Sequence, residues 1–187
     1  MTAKECIKER RSIRSFKPDA VSPELIRELV ETASYSPSWK NTQIVRYVAV
    51  TGETKARIAN ECTDNWKKNA DIINNAPVLM VQCYVKGRSG FERDGSYTTE
   101  REGGWQMYDA GISAANFCDA AYEAGLGSVI LGIFDFKMAS KILSLPEGTE
   151  AVALIPVGYP VELPPAPKRK TVDELLTFCL LYTSDAA

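Results

Sequence analysis

The chain has 187 residues, with 22 Lys and Arg against 24 Asp and Glu and a formal charge of -2 at pH 7. At 45% hydrophobic and 25% charged residues it has the composition of one ordinary domain with a full core, and no basic excess points to nucleic acid or a membrane surface. It contains no histidine, which excludes Ser-His-Asp and Cys-His nucleophile systems and histidine metal sites, so if the chain does chemistry a bound cofactor is expected to do the hard part.

Residues Ala3 to Arg11 read as a short helix, after an N-terminus that lacks the apolar stretch of a secretory signal. The turn that follows carries Arg10, Arg11, Ser12 and Arg14. Arginine forks and a hydroxyl make a phosphate cradle. The same cations also suit a solvated helix end, where they oppose the dipole. Ser22-Pro23-Glu24 is a helix start, with Leu25, Ile26, Leu29, Val30 and Ala33 on one face and a stop before Pro37. Tyr47 to Val50 predicts a strand and Glu53 to Cys62 a helix. Pro77 to Val85 is almost continuously apolar, as suits a central strand buried on both faces.

Residues 87–104 are polar, glycine-punctuated and aperiodic, a candidate lid or substrate loop. Trp105 to Gly125 is a helix rich in small residues, suited to a core or an interface, with Gln106 and Asp109 read as surface or capping polar groups. A short strand at Val129 to Leu131, a helix at Phe136 to Leu143 behind Asp135, and a buried strand at Ala151 to Tyr159 follow. Beyond Pro160 the proline-rich chain becomes a stiff arm bearing Lys168, Arg169 and Lys170, then a short amphipathic stretch, Val172 to Phe178. One domain over 1–180 is expected, with 181–187 a non-native tail. Five scattered cysteines without C-x-x-C spacing, and no apolar run as long as a membrane span, predict a reduced, cytoplasmic protein.

Four segments in order resemble the nitroreductase family of FMN-dependent oxidoreductases: Arg10 to Phe16, Ser36 to Gln43, Ala124 to Gly132, and Pro156 to Pro160 with Lys168-Arg169-Lys170 behind it. The likeness spans roughly residues 4–178. It implies an α+β fold, a central and mostly antiparallel sheet flanked by helices, and a homodimer whose C-terminal arm reaches the partner. FMN would lie at the subunit interface. By this resemblance Arg10 and Ser12, with Arg169 or Lys170, hold the flavin phosphate, and Arg11 matches through its backbone. Arg14 takes the place of the cation beside the pyrimidine end of the ring, the one catalytic role assigned. Asn69 falls near an asparagine that hydrogen-bonds the flavin, while Pro37, Ser38, Trp39 and Asn41 reach it from the second subunit. Leu131 and Gly132 present backbone N–H groups to the flavin edge. Apart from the resemblance, Trp39 is also a plain core anchor, Asn41 a turn residue and the Lys168–Lys170 run an exposed charged arm.

The resemblance further implies hydride transfer from NADH or NADPH through flavin N5 to a nitroaromatic, quinone or similar electron-poor small molecule, by a ping-pong route. No Rossmann-type ribose discriminator is present to separate the two donors. Gln43-Ile44-Val45 stands where the family often has Gln-Pro-Trp, so substrate preference transfers least. Two other readings stand beside it. One is a flavin-dependent reductive dehalogenase or another specialised enzyme of the fold, with 87–104 as a gripping lid; the other is a non-catalytic flavin or phosphate-ligand binding protein.

Overall fold

The computed structural model describes residues 1–63 and 66–179; the expected tail at 181–187 lies outside them. In chain order the elements are α1 (Ala3–Glu9), α2 (Pro23–Ser34), a 3₁₀ turn (Trp39–Asn41), β1 (Val45–Val50), α3 (Gly52–Cys62), α4 (Lys67–Asn75) and β2 (Val78–Val85). Then come α5 (Gly104–Glu123), β3 (Gly127–Ser128), α6 (Phe136–Ile142), β4 (Thr149–Gly158) and α7 (Val172–Leu175). The sheet runs β1-β2-β4-β3, and each neighbouring pair is antiparallel.

The apolar run of β2 is explained by its two covered faces. Val78 and Met80 pack with α2 and α5 residues such as Leu29 and Phe117. Leu79, Val81 and Cys83 pack against α3, α4 and α6 through Ile58, Ile73 and Ala139. A register shift between Gln82 and Cys83, which pair with Ala153 and Ala151, leaves Val152 as an extra residue of β4. The bulge lets Ala151 and Leu154 share one face while Ala153 and Ile155 take the other.

Helix ends follow local chemistry. Ser22 caps α2 by accepting from Leu25 N, and Asp135 caps α6 by accepting from Met138 N. Helix α5 closes in a Schellman motif: Leu126 N donates to Ala121 O at 2.8 Å and Gly125 N to Tyr122 O at 3.0 Å. Its face toward the sheet is fixed by a buried polar network. Gln82 Nε2 donates to Ala110 O at 2.9 Å and to the Tyr47 hydroxyl at 3.2 Å, and that hydroxyl lies 2.9 Å from Ser113 Oγ.

Two elements differ from expectation. Helix α4 is absent from the sequence reading, although Ala70, Ile73 and Ala76 recur at helical spacing before Pro77. The strand expected at 129–131 forms instead at Gly127–Ser128, with one further bridge at Leu131. Ile13 packs so tightly on Gly127 that a Cβ there would lie 2.6 Å from it, and Ile130 turns outward. No helix among the described residues is long and apolar enough to cross a membrane.

Candidate functional site

The segment after α1 is laid along the β3 edge of the sheet. Ile13 N donates to Ser128 O at 3.0 Å, Ser12 and Ser128 form a parallel bridge, and Lys17 N donates to Tyr159 O at 2.8 Å. Phe16 bridges Pro160, so three of the four segments singled out in the sequence meet at one edge. Beside them Arg10, Ser12, Ala115, Asp119 and Ile130 line a recess of about 280 Å³.

The arginines there differ. Arg10 pairs with Asp119 at 3.4 Å, and burial pushes the Asp119 carboxyl up while the Arg10 guanidinium opposes the shift. The Arg11 guanidinium donates to Lys8 O, Glu9 O and Arg10 O at 2.7–2.9 Å, closing the end of α1, so its side chain is committed locally. Arg14 is exposed and makes one long contact, 3.4 Å to Ser12 O. Asn69, in the first turn of α4, donates through Nδ2 to Ile133 O at 3.1 Å, which brings it beside Gly132.

Leu131 corrects one expectation. Its N–H donates to Leu154 O at 2.8 Å as part of the sheet and is closed to an external acceptor. Gly132 is exposed, and its N–H has no acceptor among the described residues. Arg169 and Lys170 are exposed on the arm and touch no acidic group among the described residues.

The segment carrying Pro37, Ser38, Trp39 and Asn41 sits elsewhere. Lys40, Asn41 and Gln43 all have positive φ (45°, 55° and 48°), a cluster of backbone strain worth about 1–3 kcal/mol each. Local bonds hold the turn: Gln43 N donates to Ser38 Oγ at 3.0 Å, and Gln43 Nε2 to Asn41 Oδ1 at 3.3 Å. The Trp39 N–H lies 3.1 Å from both carboxylate oxygens of Asp109. The Trp39 ring packs on Trp105, and its Nε1 is buried with no partner among the described residues. Asp109 thus ties Trp39 to α5 ten residues before Asp119 ties Arg10, about 15 Å along the helix. One chain does not bring Trp39 to Arg10.

Asp109 and Gln106 are not surface groups. Both are buried, and Gln106 Oε1 accepts from Gly87 N at 2.7 Å. The 87–104 loop, expected as a lid, is folded down by these residues. Ser89 bonds Asp109, Lys40 pairs with Glu92 at 3.2 Å, Phe91 bridges Tyr97, and Trp105 Nε1 donates to Thr99 Oγ1 at 2.9 Å. Sequence spacing alone signals none of these ties, because the partners are 6 to 70 residues apart.

Residues 7–159 match the model of the Nitroreductase family. The chain belongs to this family. It is similar to an NADH dehydrogenase of Thermus thermophilus, at 29% identity over 185 residues, 87% of this chain and 88% of the relative. It is also similar to an iodotyrosine deiodinase of Haliscomenobacter hydrossis, at 28% identity over 173 residues, 82% of this chain and 77% of the relative. The solved nitroreductase family protein of Streptococcus pneumoniae TIGR4 has the same fold, with a TM-score of 0.83 at 23% identity, covering 95% of this chain and all (100%) of that one. The α+β nitroreductase fold expected from the sequence is therefore the fold of this chain.

Proposed function

We propose that the chain is an FMN-dependent oxidoreductase that takes hydride from NADH or NADPH and passes it to nitroaromatics, quinones or similar electron-poor small molecules. The observation that carries this reading is the meeting of Ser12, Ser128 and Pro160 segments at one sheet edge, beside a recess that holds Arg10. The donor set fits a phosphate-bearing planar ligand. Ser12 offers a hydroxyl, Arg14 an exposed guanidinium with no carboxylate partner among the described residues, and Gly132 an exposed N–H. Asn69, held by Ile133 O, flanks that N–H. Arg169 or Lys170 would complete the phosphate cradle from the arm.

When bound, FMN supplies the hydride-accepting and hydride-donating chemistry. The chain would bind and orient it, with Arg14 supplying a fixed positive charge to offset the negative charge that reduction adds, an interaction strengthened where water is excluded. The lack of histidine is no obstacle, because no side-chain acid or base is assigned a proton.

The working unit in this reading is a homodimer. Asp109, which anchors Trp39, and Asp119, which pairs with Arg10, lie about 15 Å apart along one α5, and in this reading Pro37, Ser38, Trp39 and Asn41 serve the partner's flavin. Between Met107 and Ala115 the exposed positions of α5 are Met107, Tyr108, Gly111 and Ala115, none of them charged, and the arm exposes Leu163, Leu175 and Phe178. Such apolar surface suits a subunit interface.

The dehalogenase reading finds support in the similarity to iodotyrosine deiodinase, but the tethered 87–104 loop favours a fixed, more permissive pocket over a gripping lid. An absorbance spectrum of the purified protein, before and after anaerobic NADH or NADPH, tests the proposal. Flavin absorbance that bleaches with either donor is expected, and turnover of a nitroaromatic in preference to a halophenol is expected to follow. A colourless protein that does not take up added FMN overturns it.

A further inference from the structure

Asp109 is a buried carboxylate, 3% exposed, with no cation beside it among the described residues. A buried anion is unfavourable unless its hydrogen bonds are satisfied. Here every donor comes from a loop. Trp39 N–H lies 3.1 Å from both oxygens, and the Ser89 hydroxyl donates to Oδ2 at 2.5 Å. That hydroxyl has one proton, so the Thr42 hydroxyl 2.6 Å away is the donor to Ser89. The carboxylate therefore grips the 39–42 turn twice, directly at Trp39 and through Ser89 at Thr42. Between these grips lie Lys40 and Asn41, with Gln43 just beyond, the three positions of positive φ in the turn. A strained turn persists only where its surroundings over-determine it.

We infer that Asp109 is a positioning residue: it holds the strained 39–43 turn, and the 87–104 loop through Ser89, in the arrangement that presents Trp39 and Asn41 to the flavin. The inference rests on the flavin reading above for its last clause. The hold on the turn stands apart from it.

Amide hydrogen exchange of the apoprotein, with FMN titration of the same samples, tests this. Asp109→Ala is expected to speed exchange at 39–43 at least tenfold, leave β2 and the second half of α5 unchanged, and weaken FMN binding tenfold or more. Asp109→Asn is expected to restore most of both, since its Oδ1 accepts from Trp39 and its Nδ2 donates to a Ser89 hydroxyl turned toward Thr42. Ser113→Ala, buried on the same helix and bonded to Tyr47, is expected to leave exchange at 39–43 unchanged. Ser89→Ala cuts only the indirect grip and is expected to speed exchange at 42–43 severalfold, which keeps the test decisive where Asp109→Ala folds poorly. Unchanged exchange at 39–43 in Asp109→Ala and Ser89→Ala overturns the inference, as does uniform acceleration of the turn, β2 and α5 together. A wild-type chain that binds no FMN overturns the flavin reading alone, and the exchange data still decide whether Asp109 holds the turn.

Discussion

The rings of Trp39 and Trp105 meet with centroids 4.6 Å apart and planes inclined by 43°. This contact joins the strained 39–43 turn to the start of α5, and it is backed by Gly90. A Cβ on Gly90 would lie 2.6 Å from Glu102 O and 3.0 Å from the Trp105 ring, at a φ of +85° that L side chains avoid. Gly90→Ala is expected to destabilise the protein by about 2–3 kcal/mol, from strain and steric displacement together. Urea denaturation checks this, and a midpoint equal to wild type would show that the loop is not packed on Trp105 as described.

Arg14 is exposed and nearly free of internal bonds, so Arg14→Ala is expected to leave thermal stability within about 0.5 kcal/mol of wild type. Under the proposed role it lowers the flavin potential by tens of millivolts, about 30 mV for each 1.4 kcal/mol of lost stabilisation in a two-electron couple. FMN affinity is expected to change less than the potential does. Potentiometric titration against dyes of known potential reads this directly, and an unshifted potential removes Arg14 from the mechanism.

The exposed, uncharged stretch of α5 around Gly111 makes the dimer testable at one position. Gly111 has open space where a Cβ would sit, so Gly111→Glu is tolerated by an isolated chain and even favoured in mid-helix by about 0.5 kcal/mol. If two α5 faces meet, the same change buries a charge at the contact. Sedimentation is expected to show a dimer for wild type and a monomer for Gly111→Glu, with FMN lost alongside. A variant that stays dimeric would place the interface elsewhere.

Burial pushes the Cys62 and Cys83 thiols up to about 11. Unfolded thiols ionise near about 8.5. Between these values the unfolded chain has released protons that the folded chain still holds, so stability is full below about pH 8.5 and falls as pH rises toward 11. Melting temperature is expected to drop across that window, and Cys62→Ala or Cys83→Ala to flatten the drop. In the native protein Cys179 is exposed and the other four cysteines are buried. A thiol reagent at pH 8 is therefore expected to modify Cys179 rapidly and the rest only on unfolding. Rapid loss of a second thiol would contradict the packing of the core.

Much of the fold was legible along the chain because its signals are local. The Ser22-Pro23-Glu24 cap, the apolar 78–85 run and the small-residue α5 each report on neighbours within a few residues, and each element formed where expected. The segment at Arg10, Ser12 and Arg14, proposed as a phosphate cradle, stands out in the sequence for the same reason. Helix α4 escaped because its apolar face is short and its ends carry no side-chain cap. Tertiary structure alone decided the roles of Asp109, Gln106 and Leu131. Asp109 and Gln106 read as helix-surface polar groups until loops 20 and 70 residues away fold onto them. Leu131 reads as free to offer its N–H until β4 takes it. A backbone or carboxyl group carries no mark of its distant partner in the sequence, and only packing determines which hydrogen bonds it must satisfy.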